Sequence, residues 1–107
     1  MKTFYGGTFM NKIKLEEVGI NYPIKLEYYK IDGSFEENLN SGYGIEIVKT
    51  EYKNEKIETE KANIAGITYD EKQANEILNI LKENQVTPII AKDVIEDLTK
   101  YNQYQIY

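Results

Sequence analysis

The chain has 107 residues and a formal net charge of -5, and it contains no cysteine, histidine, arginine or tryptophan. These absences exclude catalytic sites built on a thiolate or an imidazole, zinc sites with cysteine or histidine ligands, and phosphate clamps built on guanidinium groups. The negative charge repels phosphate backbones and anionic lipid headgroups, so direct nucleic-acid binding and membrane attachment are disfavoured.

The length is that of one domain, and 41% hydrophobic residues are enough to form its core. No apolar run approaches the roughly 18 to 20 residues that a membrane span needs, and the first residues lack the apolar region of a signal peptide. We therefore expect a single cytoplasmic domain over residues 1–107, with residues 1–9 and 101–107 as candidate loose ends.

Alternation of polar and apolar residues predicts β-strands in the first two-thirds of the chain. It covers residues 12–16, 24–28 and 45–47, and a weaker alternation runs from about residue 57 to 64. Phe4 to Gly7 is either a loose extension or an edge strand, and Gly42 and Gly44 mark a loop-to-strand junction.

One side of each predicted strand is apolar and the other is acidic, so one face of the sheet is expected to pack and the other to face solvent. The outward side chains are Glu16, Glu27 and Glu46, and the inward ones are Ile13, Leu15, Ile24, Leu26, Ile45 and Ile47.

After Gly66 the spacing of apolar residues changes from every second residue to every third or fourth, which is typical of a helix. Apolar residues at spacings of three and four predict helices over residues 70–84 and 88–100, with Thr68 or Asp70 as the first N-cap and Pro88 at the start of the second helix. The predicted fold class is α+β: an antiparallel sheet of about four strands followed by an αα-hairpin packed on one face. The two helical stripes are Ala74, Ile77, Leu78 and Leu81, and Ala91, Val94, Leu98 and Tyr101.

Three segments carry a resemblance to a known family: YGIEI at 43–47, NEIL at 75–78, and VTP followed by DVIED within 86–97. These segments resemble a family of small uncharacterised proteins from spore-forming, low-GC Gram-positive bacteria, and the resemblance runs from about Tyr22 to Leu98. It implies the order of strands followed by two helices, and it implies no chemistry.

Tyrosine is the other compositional signal, with ten residues in the chain. Tyr29 and Tyr52 are expected on the outward face with Glu16, Glu27 and Glu46. Tyrosine is enriched in binding interfaces, so this set is a candidate docking surface for a protein partner with a basic surface. The alternative is that tyrosine is simply a common strand residue.

A weaker candidate is a carboxylate site for a hard cation at Asp93, Glu96 and Asp97, whose spacing places them on one helix face. A solvated acidic face explains the same residues, so the sequence predicts no metal, no cofactor and no enzymatic activity.

The leading hypothesis is a small acidic regulatory protein that acts by binding another protein, and the composition is compatible with a homodimer. Its finer form is a phage or mobile-element inhibitor, similar to anti-CRISPR proteins, of a basic nucleic-acid-handling protein. The alternatives are a carboxylate-metal enzyme and a nucleic-acid-binding accessory factor.

Overall fold

A computed structural model describes residues 1–10, 16–33 and 42–101 of the chain. It contains a four-stranded sheet in the order β1-β2-β3-β4, in which each neighbouring pair of strands is antiparallel. Two helices follow the sheet and pack on one of its faces. The elements are β1 (Lys2–Phe9), β2 (Ile24–Asp32), β3 (Tyr43–Lys53), β4 (Lys56–Thr68), α1 (Glu71–Glu83) and α2 (Pro88–Tyr101). The predicted α+β fold class is therefore confirmed.

The core lies between the helices and the inward side chains of the central strands. Tyr28, Ile47, Leu78 and Leu81 are completely buried there, and the stripe of α1 is buried as predicted. On α2, Ala91 and Ile95 are buried, while Val94 and Leu98 pack at the edge of the core. The side chain of Tyr101 lies outside the described residues.

The first helix begins where its sequence predicts. Asp70 is the N-cap, because its carboxylate accepts a hydrogen bond from the Lys72 backbone N–H at 3.0 Å. Thr68 has a supporting role, since its hydroxyl accepts a hydrogen bond from the Asp70 backbone N–H at 3.1 Å. Pro88 is the first residue of α2, where its missing N–H costs no helical hydrogen bond.

The predicted loop-to-strand junction is also confirmed, since β3 begins at Tyr43. Gly42 has a φ of 71°, and a side chain at this position would collide with the Thr68 carbonyl oxygen. A side chain at Gly44 would likewise collide with the backbone of Ile64 in β4. Both glycines are therefore needed for the close approach of β3 and β4.

The first strand of the sheet confirms one of the two alternatives for the first residues. It is Lys2–Phe9, the edge-strand alternative for the first residues. Residues 12–15 of the predicted strand at 12–16 lie outside the described residues, as do residues 102–107 of the candidate loose end at 101–107. Glu16 is helical rather than extended, because the Gly19 N–H donates to its carbonyl oxygen at 3.0 Å and closes a turn.

In the described part of the chain, neither helix has both the length and the apolar character needed to cross a membrane.

Candidate functional site

The sheet has one face that α1 and α2 do not cover, and we call it the open face. Strand register defines it, because directly paired residues of antiparallel strands point to the same side. Tyr28 and Ile47 face the core, so their neighbours Tyr29 and Glu46 face outward as a pair. The larger members of the open face are Lys2, Phe4, Phe9, Lys25, Glu27, Tyr29, Ile31, Glu46, Val48, Tyr52, Ile57, Lys61 and Asn63.

An aromatic cluster lies on the β1 and β2 part of the open face. The Phe4 and Tyr29 rings meet edge to face with their centroids 5.5 Å apart. The Lys2 ammonium lies 4.7 Å from the centroid of the Tyr29 ring and makes a cation–π contact with it. The Tyr29 hydroxyl donates to a Glu27 carboxylate oxygen at 3.0 Å, and burial together with this bond raises the pKa of Tyr29. The tyrosine is therefore held in one orientation from both sides.

Glu46 is the second anchored group. Its carboxylate accepts hydrogen bonds from Lys2 Nζ at 2.9 Å and from the Asn63 amide at 3.3 Å. Partial burial acts to raise the pKa of Glu46, but the Lys2 and Asn63 hydrogen bonds and the Lys2 charge together outweigh it, so the pKa lies below its ordinary value. The carboxylate is thus ionised at neutral pH, and its hydrogen bonds connect β3 with Lys2 of β1 and with Asn63 of β4.

Tyr52 and Ile57 form the far end of the open face, where they pair directly across β3 and β4. Ile57 is 65% exposed and Tyr52 is half-buried. The Lys25 ammonium lies beside Glu27 and Tyr52, and both raise its pKa, Glu27 the more strongly. Lys25 thereby connects Tyr52 with the Glu27 and Tyr29 pair.

An open depression separates two exposed phenylalanines at the β1 edge of this face. Phe4 is 55% exposed and Phe9 is 64% exposed. The depression has a volume of about 500 Å³, and its lining combines the two aromatic rings with one positive and one negative side chain. The lining residues are Phe4, Gly7, Thr8, Phe9, Lys25 and Glu27.

The open face is not acidic, in contrast to the sequence prediction. Its strands contribute two glutamates, Glu27 and Glu46, but also three lysines, Lys2, Lys25 and Lys61. Two of those lysines come from β1 and β4, which the sheet order places next to the predicted acidic strands. The negative charge is greater on the helical segment, where residues 70–100 hold seven acidic residues and four lysines.

The structure therefore brings Tyr29, Tyr52, Glu27 and Glu46 together on one face. Glu16 is exposed in the helical turn before β2 and is not part of a strand. Sequence reasoning missed the contribution of Lys2, Phe4 and Phe9. The signal that could have found them is the spacing of Phe4, Gly7 and Phe9, once a bulge in β1 is allowed.

The carboxylate alternative on α2 is not supported by the geometry. Asp93, Glu96 and Asp97 are all exposed. No group of three acidic side chains in the described residues is arranged to hold a metal ion. Like charges on adjacent turns repel, and exposed carboxylates are free to turn apart into solvent.

Comparison with known protein families assigns the chain to one of them. A family model matches residues 8–101, which include the end of β1, the other three strands and both helices. The chain belongs to DUF6514, a family of unknown function. The DUF6514 match is wider than the stretch from Tyr22 to Leu98 that carries the sequence resemblance. No curated protein and no solved structure matches the chain.

Proposed function

We propose that this chain is a non-enzymatic regulatory protein that binds another protein through the open face. The observation that carries the proposal is a set of four aromatic side chains, two exposed and two half-buried, on a sheet face that neither helix covers. Buried aromatic anchors inside a polar rim commonly dominate the energy of protein association. Phe4, Phe9, Tyr29 and Tyr52 are candidate anchors, and Glu27, Glu46 and the three lysines are the rim.

The rigidity of this surface supports binding rather than simple solvation. Tyr29 is held by Phe4, Lys2 and Glu27, so it has little side-chain freedom to lose when a partner docks. Immobilising a mobile side chain at an interface costs about 0.5–1.5 kcal/mol, and a side chain held in advance avoids most of that cost. These three contacts thus hold the Tyr29 ring ready for a partner.

The partner is proposed to be a protein with a basic surface. The net charge of -5 attracts such a protein at long range and repels nucleic acid itself. On the open face Glu46 is already paired with Lys2 and Glu27 lies near Lys25, so these carboxylates offer only their remaining acceptor positions to lysine or arginine side chains of the partner. The mixed charge of the open face fits a partner whose basic surface also carries some acidic residues.

The finer form of the proposal is an inhibitor of a basic nucleic-acid-handling protein, of phage or mobile-element origin in a low-GC Gram-positive host. Abundant isoleucine, lysine, asparagine and tyrosine agree with an AT-rich genome. This form stands on charge, size and composition.

An affinity capture with matched baits tests the proposal. The baits are the parent chain, Tyr52→Ala, and Tyr69→Ala as a control, because Tyr69 is also exposed, at 59%, but lies after the end of β4. We expect a protein that the parent and Tyr69→Ala retain and that Tyr52→Ala loses, with all three baits equally folded. Proteins retained equally by all three baits would contradict a role for the open face.

Charge reversal tests the nature of the partner. Glu27→Lys combined with Glu46→Lys should weaken binding to a basic partner, and added salt should slow its association with the parent chain. A matched double reversal at Glu96 and Asp97 on α2 controls for net charge alone. Equal weakening by both double variants would show that net charge, and not the open face, selects the partner.

A further inference from the structure

The two edges of the sheet differ in charge. On the β4 edge, residues 56–61 contain Lys56, Glu58, Glu60 and Lys61, a pattern that discourages pairing with another strand. On the β1 edge, the stretch from Thr3 to Phe9 carries no charged side chain. Its outer backbone groups have no strand partner among the described residues, since β1 is the terminal strand of the sheet.

The free hydrogen-bonding groups of β1 belong to a defined set of residues. The Asp32 N–H donates to the Met1 carbonyl oxygen at 2.8 Å, and the Met10 N–H donates to the Ile24 carbonyl oxygen at 3.0 Å. Hydrogen-bonded and non-hydrogen-bonded pairs alternate in an antiparallel ladder, so Thr3 and Thr8 also point their backbone groups toward β2. The residues whose backbone N–H and C=O groups point away from β2 are Lys2, Phe4, Gly7 and Phe9.

The irregularity between Phe4 and Gly6 makes this pattern symmetric. If two β1 strands pair antiparallel around an axis between Tyr5 and Gly6, Lys2 faces Phe9 of the second copy and Phe4 faces its Gly7. All four residues lie on the open face, and no described strand pairs with their outer backbone groups; the Phe9 carbonyl oxygen accepts a long 3.4 Å hydrogen bond from the Thr8 hydroxyl. Thr3 then faces Thr8 of the second copy on the opposite face of the sheet. In this register, the two side chains of each of these pairs point to the same face, and outward-pointing backbone groups of one copy meet outward-pointing backbone groups of the other.

We infer that β1 pairs with β1 of a second copy of this chain in this register, joining two sheets into one of eight strands. The uncharged stretch from Thr3 to Phe9 lets two chains of like net charge approach. Lys82 and Glu83, which lie near Gly7 and Thr8, are of opposite sign. The smallest residue, Gly7, lies opposite the Phe4 ring, where a larger side chain would crowd it. The open faces of the two copies become continuous, with Phe4 and Phe9 of both at the junction.

Cysteine cross-linking tests the register, since the chain has no cysteine of its own. In the proposed dimer Thr3 and Thr8 form a non-hydrogen-bonded pair with Cα atoms about 4.5 Å apart, a separation that a disulfide spans. We expect an equal mixture of Thr3→Cys and Thr8→Cys chains to form a disulfide-linked dimer of one of each under mild oxidation. Each variant alone should cross-link poorly, because its two cysteines are about five residues apart along the strand, or roughly 17 Å.

The second test places charged residues at the same two positions. Analytical ultracentrifugation compares the oligomeric state of the unmodified chain with that of two double variants. Thr3→Lys with Thr8→Lys places like charges opposite each other and should give monomers. Thr3→Lys with Thr8→Glu places opposite charges there and should sediment as a dimer, as should the parent. A monomeric parent at every concentration, cross-linking of each cysteine variant alone to the same extent as the mixture, or equal sedimentation of the two double variants would overturn the inference.

Discussion

The Tyr28 hydroxyl donates a 2.9 Å hydrogen bond to the carbonyl oxygen of Val86, and both residues are buried. Tyr28 lies in the middle of β2, whereas Val86 lies in the connection between α1 and α2. The Val86 N–H in turn donates to the Leu81 carbonyl oxygen at 2.9 Å, so one chain of contacts ties the sheet to the turn of the helical pair. This link fixes where α2 begins relative to the sheet.

Replacing Tyr28 with phenylalanine should destabilise the fold. The ring keeps its place in the core, but the Val86 carbonyl loses its buried partner, which costs about 1–3 kcal/mol. Urea denaturation measures the loss, and Tyr69→Phe, at an exposed tyrosine, should leave the midpoint unchanged. Equal midpoints for Tyr28→Phe and the parent would mean that the hydrogen bond contributes nothing net.

The same tyrosine predicts a loss of stability at alkaline pH. Burial raises the pKa of Tyr28 well above its ordinary value of 10.0. Above about pH 10 the unfolded chain therefore releases this proton before the folded chain does, and the free energy of unfolding falls as pH rises further. Denaturation midpoints measured across this range should decline less steeply for Tyr28→Phe than for the parent. Parallel declines would show that Tyr28 does not titrate differently in the two states.

The helical stripe makes a prediction about packing. Leu81 on α1 is completely buried, so Leu81→Ala should lower the free energy of unfolding by about 2–5 kcal/mol. Ile89 on α2 is 75% exposed, so Ile89→Ala should change the free energy of unfolding by less than about 0.5 kcal/mol. Equilibrium denaturation compares the two variants, and similar losses would be incompatible with the observed packing of α1.

A buried carboxylate near the β3–β4 turn provides another test. Glu51 is only 7% exposed and accepts a 2.6 Å hydrogen bond from the Tyr22 hydroxyl, while the Tyr22 ring lies 5.3 Å from the Lys53 ammonium. Tyr22→Phe keeps the ring but removes the donor, so thermal denaturation should show a lower melting temperature. Tyr29→Phe, which removes a donor from the more exposed Glu27, should lower it less. The reverse order would show that Glu51 does not depend on Tyr22.

The sequence predicted the elements whose signal is local. The spacing of Ala74, Ile77, Leu78 and Leu81 is repeated within one helix, so α1 could be placed without knowledge of its neighbours. The inward and outward assignment of β2 and β3 was also predicted correctly, because alternation alone puts Tyr28 and Tyr29 on opposite faces.

The sequence left the first strand as one of two alternatives, and it did not show the balance of charge on the open face. The bulge in β1 shifts the alternation between Phe4 and Gly7, so the strand lacks a continuous period of two. The Lys2 and Glu46 ion pair joins residues 44 positions apart and depends on the order of three strands. Contacts of this kind arise only when the sheet assembles, and they determine how the candidate site is charged and held.

The affinity of the captured partner for Tyr52→Ala and Tyr69→Ala tests the central claim most directly. Titration calorimetry with the purified partner should show that Tyr52→Ala binds at least tenfold more weakly than the parent, a loss of about 1.4 kcal/mol, because an aromatic anchor on the open face is removed. Tyr69→Ala should bind as tightly as the parent. Parent-like affinity for Tyr52→Ala, with both variants fully folded, would contradict the assignment of the open face as the binding surface.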